Sequence, residues 1–599
     1  EKAWITRKLD VFNRWFNQQA LNYRKVVAWA LDHRASMLVL AAGTFFAAFL
    51  LPTRGVSGLF AALLGIAIVV FALNSRRFNQ WARAGIAVAG AAVFVMLPQV
   101  VPPIRTVGSA FFPVDDRSEF IMKLETPPGS NMEYTRLKAQ EVARIVRSQP
   151  EVRYTYTTLG EGATGAVDVG NIYVKLTPKD TRDRNVEILA ADLRTQMSRV
   201  AGATVSIFTN DFSGGFKQIL VQVRGQDAKQ LAIVAEQIRD IARETPGAVD
   251  IGLSSKGQKP ELEVSLQRGI AGSLGVTVGQ VAQSMRAAFA GLDAGDWIDP
   301  TGKSRDVMIR LAPESRRRAT DLEQLPLVIM GPTGAPTTVP LGQVATVSEG
   351  VGPAIIDHLN REPVVNVELN TSGRAAGDVG ADIQKAVDRM QLPPGVKVTM
   401  GGDQESQTEV FGQIFSALGL AVLLMYLILV VQFGSFLDPM AIMMSLPLSL
   451  IGVMLALAVT NYTINLMSLI GVILLMGIVA KNAILLIDFA KWAREEKGMP
   501  LRESLIEAGA IRLRPILMTT FALIAGMLPI ALGTGEGAAF RAPMGVAIIG
   551  GVITSTFLTL LVIPTIYEVM DEIRSKLAGK VGLSAPRTAE HPVVAPAGD

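Results

Sequence analysis

Residues 474–490 read LLMGIVAKNAILLIDFA, a run that would sit in lipid throughout but for Lys481 and Asp488. An ammonium at the centre of a membrane helix costs about 2.5–3.5 kcal/mol on insertion scales, so such a group pairs with an acid or lines a water path. Lys481 is expected in the inner half of the membrane, roughly 27 Å from the outer end of its helix. About 13 Å of helix remain beyond it. That is roughly twice the reach of a lysine side chain, so snorkelling to the cytoplasmic surface is the weaker reading. Asn482 adds an amide beside it. The next apolar run opens IRLRPILMTT and sets Arg512 and Thr519 two turns apart on one helical face. Taken singly, Arg512 is an interfacial anchor, Thr519 bonds its own backbone, and Pro515 is tolerated in a first turn. Together with Lys481 they outline a polar track through a helix bundle. Asp488 is the one acid in these two apolar runs and lies close to the cytoplasm. The anion for Lys481 is therefore expected outside this chain.

Composition removes most other chemistry. There is no cysteine, which excludes disulfides, thiolate catalysis and cysteine metal sites, and the three histidines (His33, His358, His591) are far apart. A net charge of +4 over 599 residues gives no sign of nucleic-acid binding. TGKS at Thr301–Ser304 lacks the first glycine of a phosphate loop, because Trp297 stands there. No nucleophile or acid–base set points to an enzyme, and no metal site is expected. The chain starts at glutamate with no signal peptide before it, and is expected to be part of a larger polypeptide.

The elements that must position these residues follow from where the apolar residues fall. VFNRWFNQQALNYRKVVAWALDHR alternates aromatics and bases at helical spacing. Residues 1–35 are therefore expected to form an amphipathic helix on the cytoplasmic membrane surface; a plain soluble helix is the alternative. A first span is predicted over 36–52 and an inserted pair of spans within 53–104, near 57–73 and 84–101. The arginines of NSRRFNQWAR put the loop of that pair in the cytoplasm, so the chain after residue 104 is exported. Residues 105–405 contain no span. SEFIMKLETPPGSNMEY reads as strand, turn and helix start, with Ser130 and Glu133 as a capping box. Residues 105–213 read β-α-β-β-α-β, a split βαβ unit. The pattern repeats over 214–259 and 357–405, with 260–356 inserted. Five spans return within 406–570, near 408–431, 437–459, 463–490, 513–532 and 543–568. Their basic connections fit a cytoplasmic side. The tail, 571–599, is expected to be cytoplasmic and partly disordered. The fold class is an α-helical transmembrane bundle plus an α+β domain of split βαβ (ferredoxin-like) modules.

The run GIVAKNAILLIDFAK, followed by GMPLRESLIEAGAIRLRPILMTTFALIAGMLPIALGTGEG, resembles the C-terminal half of an RND (resistance–nodulation–cell division) efflux transporter. The resemblance extends over most of 20–575. It implies a multi-pass protein in the inner membrane of a Gram-negative bacterium, a homotrimer that exchanges drug for proton. It also implies a tripartite pump, completed by a periplasmic adaptor protein and an outer-membrane channel. Protons are the coupling ion and no other cofactor is implied. The missing anion would be a pair of aspartates in the N-terminal half of the same transporter. Lys481, Arg512 and Thr519, with Asn482 beside the lysine, match relay positions. The first porter subdomain (105–213) is implied to line a periplasmic cleft, with Tyr154, Tyr156, Tyr173 and Phe208 on pocket positions. LGEGATGAVDVG matches a switch loop in which Leu159 and Glu161 stand where well-known drug pumps carry phenylalanines. Sheet packing is the alternative for the tyrosines. Residues 214–259 and 357–405 would form a second porter subdomain, and 260–356 a docking subdomain facing the channel. The extra pair of spans departs from the usual half. Hydrophobic or amphiphilic compounds are the expected substrates. Metal or lipid export by the same fold is an alternative, although Met122 and Met197 form no evident cluster. A non-transporting membrane scaffold would have little use for three polar residues in register.

Overall fold

The computed structural model describes residues 4–75, 79–160, 166–209, 217–330 and 335–581. Helix α1 (Trp4–Asp32) crosses the foot of a helix bundle and meets α2 (Arg34–Ala48) at a bend of 93°. The backbone stays near-helical through Leu50 into the start of α3 (Leu51–Asn74), and the break falls at Gly55, with φ +67°. The first span therefore ends near Arg54. A Cβ at Gly55 would stand 2.1 Å from the Ile104 carbonyl oxygen, so glycine is required both for its backbone angle and for space. The rest of α3 retraces the height of α2, because the Ser36 hydroxyl at the foot of α2 donates to Asn74 Oδ1 at 2.6 Å. Helix α4 (Gln80–Val100) returns beside α3, so close that a Cβ on Gly65 would meet the Phe94 nitrogen at 2.6 Å. The chain then rejoins its point of departure. Val56 N–H donates to Ile104 O (2.8 Å) and Val107 N–H to Leu51 O (3.3 Å). The Ser57 hydroxyl donates to Pro102 O and accepts from Ile104 N–H. Entry and exit lie side by side, so the hairpin leaves the remaining topology unchanged.

Beyond the bundle come β1 (Glu119–Glu125), α5 (Met132–Arg147), β2 (Val152–Leu159), β3 (Val169–Leu176), α6 (Val186–Met197) and β4 (Thr204–Phe208). The strands form one antiparallel sheet in the order β2-β3-β1-β4. Strict alternation sends Phe120, Met122, Leu124, Ile172, Val174 and Leu176 to one face, where they pack with α5 and α6. The opposite face is open. Helix α5 is capped by Asn131, whose side chain accepts from Tyr134 N–H at 2.8 Å, one residue later than expected. Ser130 is occupied in the preceding turn, donating to Pro127 O.

A second sheet uses β5 (Ile219–Arg224), α7 (Ala228–Glu244) and β6 (Ala248–Leu253) before an insertion intervenes. The insertion holds β7 (Gln258–Leu266), α8 (Arg268–Ser273), α9 (Val278–Met285), β8 (Leu292–Ile298), β9 (Ser304–Ile309) and α10 (Ala319–Glu323). It continues through β10 (Pro326–Met330), β11 (Pro336–Pro340), α11 (Leu341–Val344) and β12 (Ala345–Pro353). Its first and last strands, β7 and β12, pair along their whole length as a two-stranded neck. The sheet is completed by β13 (Asp357–Leu359), β14 (Glu362–Thr371), α12 (Ala376–Val387) and β15 (Lys397–Gly402). Strand β14 lies between β6 and β5, and β5 lies between β14 and β15. That is the strand order of the first sheet, with the insertion placed between its second and third strands.

The bundle resumes with α13 (Asp403–Phe433), α14 (Leu437–Met443), α15 (Ser445–Thr460), α16 (Leu466–Glu496), α17 (Leu501–Leu532) and α18 (Ala542–Val581). Among the described residues seven helices, α14 and α15 counting as one, are long and apolar enough to cross a membrane, and the bent α1–α2 pair adds an eighth. Two expectations change. The basic stretch after residue 490 is helical up to Glu496 and again from Leu501, so Pro515 lies well inside a helix rather than in a first turn. The start of the expected tail is helical as far as Val581, and 582–599 lie outside the described residues.

Proline also explains how α1 is fastened. Pro564 in α18 has no N–H for the Leu560 carbonyl. The Tyr23 hydroxyl of α1 donates to that carbonyl at 2.5 Å, with its ring against Gly509 of α17. Arg24–Glu507 and Arg502–Asp32 ion pairs flank it, but solvent screens such exposed pairs and they add little. Tyr23→Phe should therefore cost about 1–3 kcal/mol, the penalty of an unmade bond to a buried carbonyl. Pro564→Ala should remove most of that cost by restoring an N–H at position 564. Thermal unfolding of the single and double variants in detergent checks this; a Tyr23→Phe cost unaffected by Pro564→Ala would refute it.

Candidate functional site

Helix α16 separates its residues cleanly. Leu475, Val479, Asn482, Ala483 and Leu486 are buried, while Leu474, Gly477, Lys481 and Asp488 form an exposed stripe at helical spacing. Lys481 makes no hydrogen bond or ion pair among the described residues. Asn482 follows it in sequence but turns about 100° away, into the bundle. The Arg512 guanidinium lies over the ring of Phe489 on α16, 5.0 Å from its centroid, and its Nε is buried with no partner among the described residues. Thr519 is exposed, and its hydroxyl donates to Ile516 O at 3.0 Å. Arg512 is thus joined to the lysine's helix through Phe489. Lys481 and Thr519 stand on exposed positions of neighbouring helices. The inward neighbour Thr520 instead bonds Thr556 of α18, 3.0 Å away in the core.

One buried acid escaped the sequence reading. Asp438, in the first turn of α14, is 4% exposed, and its Oδ2 has no partner among the described residues. An acid at the edge of an apolar run was the available signal.

The tyrosines are organised by strand register. Tyr173 pairs with Tyr156 on one side and Ile121 on the other, and Ile121 pairs with Phe208. Directly paired residues share a face, so Tyr156, Tyr173, Ile121 and Phe208 form one row across the open face. The row is about 14 Å long at about 4.8 Å per strand. It runs from Tyr156, 65% exposed at the sheet edge, to Phe208, 4% exposed at the seam between the two sheets. Tyr154 flanks it, 6.3 Å from Tyr173 between ring centroids. Leu159 does not join: it pairs with Gly170 and packs against the core on the opposite face, as the two-residue period requires. Glu161 lies outside the described residues. Met122 and Met197 are both buried beneath the sheet. Among the described residues no group of three histidines, cysteines or acids could hold a metal ion.

At the seam the row ends in a cavity of about 360 Å³, which Lys123, Lys217, His358, Asn366 and Glu368 also line. Burial pulls the Lys217 ammonium below the usual lysine range against the attraction of Glu368, 4.0 Å away, and burial pushes Glu368 up. Glu119 on the open face is pushed up by burial, but the Tyr173 hydroxyl (2.6 Å) and Lys175 (3.0 Å) outweigh this and hold it below its ordinary value. Beside the cavity the sheets are locked together. Asp250 Oδ2, from the second sheet, accepts from Arg194 (3.0 Å), Asn370 (3.1 Å) and Ile207 N–H (3.3 Å). Lys256 bridges to Glu125 of the first sheet at 3.0 Å.

A repeated two-sheet domain, set between a membrane hairpin and five further spans, makes this a multi-pass membrane protein with one large extramembrane part. The sequence profile of the AcrB/AcrD/AcrF family matches residues 76–571. The chain belongs to that family, the RND transporters. Helices α1, α2 and α3 precede the matched stretch. Two crystal forms of a heavy metal efflux pump share the fold. Form II gives a TM-score of 0.66 at 24% identity, covering 90% of this chain and 58% of that one. Form I gives 0.66 at 23% identity, covering 89% and 62%. This chain therefore spans less than two thirds of the length of the pumps it matches.

Two outcomes follow from the seam and the open face. Asp250→Ala should destabilise the extramembrane part by about 3–5 kcal/mol, because it strands Arg194 without its buried partner; chemical denaturation followed by limited proteolysis reads this out. Glu119 has a depressed carboxyl, so its stabilisation is present above the ordinary value of 4.5 and is lost as pH falls through the folded value. Between about pH 5 and pH 3 the wild type should lose more thermal stability than Glu119→Gln.

Proposed function

We propose that this chain is the C-terminal half of a proton-driven efflux transporter for hydrophobic or amphiphilic organic compounds. The observation that carries the reading is the row Tyr156–Tyr173–Ile121–Phe208, which leads from an exposed sheet edge to a cavity lined by lysines and carboxylates. Ring faces offer large apolar contact, and the charges at the end select a polar group on the same molecule. In this reading both sheets are split βαβ porter modules, and the neck-borne insertion is the docking subdomain. The protein sits in the inner membrane of a Gram-negative bacterium with the sheets in the periplasm. It works as a homotrimer with a periplasmic adaptor and an outer-membrane channel.

Lys481 supplies the coupling. Its exposed position on α16 suits it to face an aspartate pair in the N-terminal half. With those aspartates ionised, Lys481 pairs with them. A proton from the periplasm neutralises one, Lys481 turns toward other partners, and α16 and α17 shift together through the Arg512–Phe489 contact. Thr519, exposed on α17, holds a flanking position of the relay, while Asn482 packs inside the bundle behind Lys481. Each charge crossing a potential of 100 mV supplies about 2.3 kcal/mol.

Metal export is the second reading, favoured by the description of the two solved pumps. The burial of Met122 and Met197 under the sheet weighs against it, because soft ligands must face the cleft to take a metal. Efflux measured in cells carrying both halves separates the cases. Lys481→Ala should abolish transport, and unchanged efflux would sink the proton-coupled reading. Phe208→Ala should reduce export of aromatic amphiphiles about tenfold, roughly the effect of losing one well-packed anchor. The same variant should leave metal tolerance unaltered.

A further inference from the structure

The open face of the first sheet carries two rows of side chains side by side. Next to Tyr156, Tyr173, Ile121 and Phe208, strand pairing sets Tyr154, Lys175 and Glu119 opposite one another. Glu119 is joined to both rows. Its Oε2 accepts from Lys175 at 3.0 Å and from the Tyr173 hydroxyl at 2.6 Å. Tyr173 is paired with Ile121, so its bond to Glu119 runs diagonally, to a residue two positions away on β1. A strand side chain has two common χ1 orientations. The diagonal bond selects the one that leans toward Glu119, where the ring stands beside Tyr154 at 6.3 Å between centroids and 40° between planes. Tyr156 has no such tether: it is exposed at the sheet edge, and its hydroxyl makes no hydrogen bond among the described residues. Burial and the adjacent carboxylate push the Tyr173 hydroxyl above the usual tyrosine range, so it remains a donor. Its single proton is committed to Glu119, and what Tyr173 offers a ligand is chiefly its ring.

We propose that Glu119 is a positioning residue of the substrate row, acting through Tyr173 by holding its ring in the orientation that packs against a substrate. This rests on the reading of the row as a substrate track. A ring fixed in advance removes an ordering cost from binding. The tether also sets what the row selects. Tyr173 cannot turn its O–H toward a substrate without breaking a charge-assisted hydrogen bond. The middle of the row therefore favours apolar and aromatic area over groups that need a hydrogen-bond donor.

The test measures efflux of the aromatic dye Nile red from cells carrying both halves, over a range of dye concentrations. Glu119→Ala and Tyr173→Phe cut the same bond from either end. Each should raise the half-saturating concentration about fivefold, the size of one net hydrogen bond, with the maximal rate unchanged. The double variant should show no further rise, because the bond can be lost only once. Glu119→Gln, which keeps an oxygen for the hydroxyl, should recover most of the loss. Tyr173→Phe leaves the Lys175–Glu119 pair in place, so a defect that came from general loosening of the sheet would follow Glu119→Ala alone. Wild-type export by either single variant would overturn the proposal, and so would two effects that add. Phe208→Ala, at the far end of the row, separates this role from the reading beneath it. A Phe208→Ala defect beside normal export by Glu119→Ala sinks only the role of Glu119. Normal export by both sinks the substrate row as well.

Discussion

Hydrocarbon tolerates no unsatisfied polar group cheaply, and this constraint shapes the bundle from end to end. Thr44 and Ser449 return their hydroxyls to carbonyls of their own helices, and Ser445 returns its hydroxyl to Ile442 O at the end of α14. Thr520 and Thr556 satisfy each other across α17 and α18. The carbonyl that Pro564 leaves without a donor is answered from another helix, by Tyr23. Lys481 departs from this rule, since no acid of the chain reaches it among the described residues, and Asp438 Oδ2 and Arg512 Nε depart from it too, buried without a partner there. The proposed coupling makes use of the charge that Lys481 keeps at this position.

Both insertions use one device. The membrane hairpin α3–α4 leaves and returns through the Val56–Ile104 and Val107–Leu51 backbone hydrogen bonds and the Ser57 hydroxyl, which bonds Pro102 O and Ile104 N–H. The extramembrane insertion leaves and returns through the paired strands β7 and β12. In each case the two ends are clamped together, so the host fold closes as though nothing lay between them. The loop entropy of the inserted length then falls on the insertion and not on the host. This is why two modules with the same strand order survive, although one is interrupted by a segment as large as itself.

The seam between the sheets combines a lock and a void. Asp250 gathers three donors from both modules and fixes one part of the seam. Nearby, Lys217 and Glu368 are drawn out of water at 4.0 Å, where their attraction only partly offsets desolvation. The aromatic row ends at that point, which ties the open face of one module to the charge pair of the other.

The sequence by itself determined much of this protein. Apolar runs marked segments that are long helices in the structure, alternation marked strands, and the repeated order of elements has its counterpart in two sheets with one strand order. Lys481 stands out in the sequence because a charge deep in a run of lipid-compatible residues has few alternatives. What pairing and packing decide was hidden. The row through Tyr156, Tyr173, Ile121 and Phe208 exists through strand register, and Ile121 carries no signal of its own. Leu159, three residues from Tyr156, falls on the other face because the side chains of a strand alternate. The cap of α5 moved from Ser130 to Asn131 because the turn claimed the serine first. Met122 and Met197 form no evident cluster in the sequence, and only the fold places both underneath the sheet. Local sequence determines which residues can form an element, because propensity and periodicity act over a few residues. Tertiary structure decides which of them meet, because contacts between distant strands and helices are set by register and packing that no local pattern encodes.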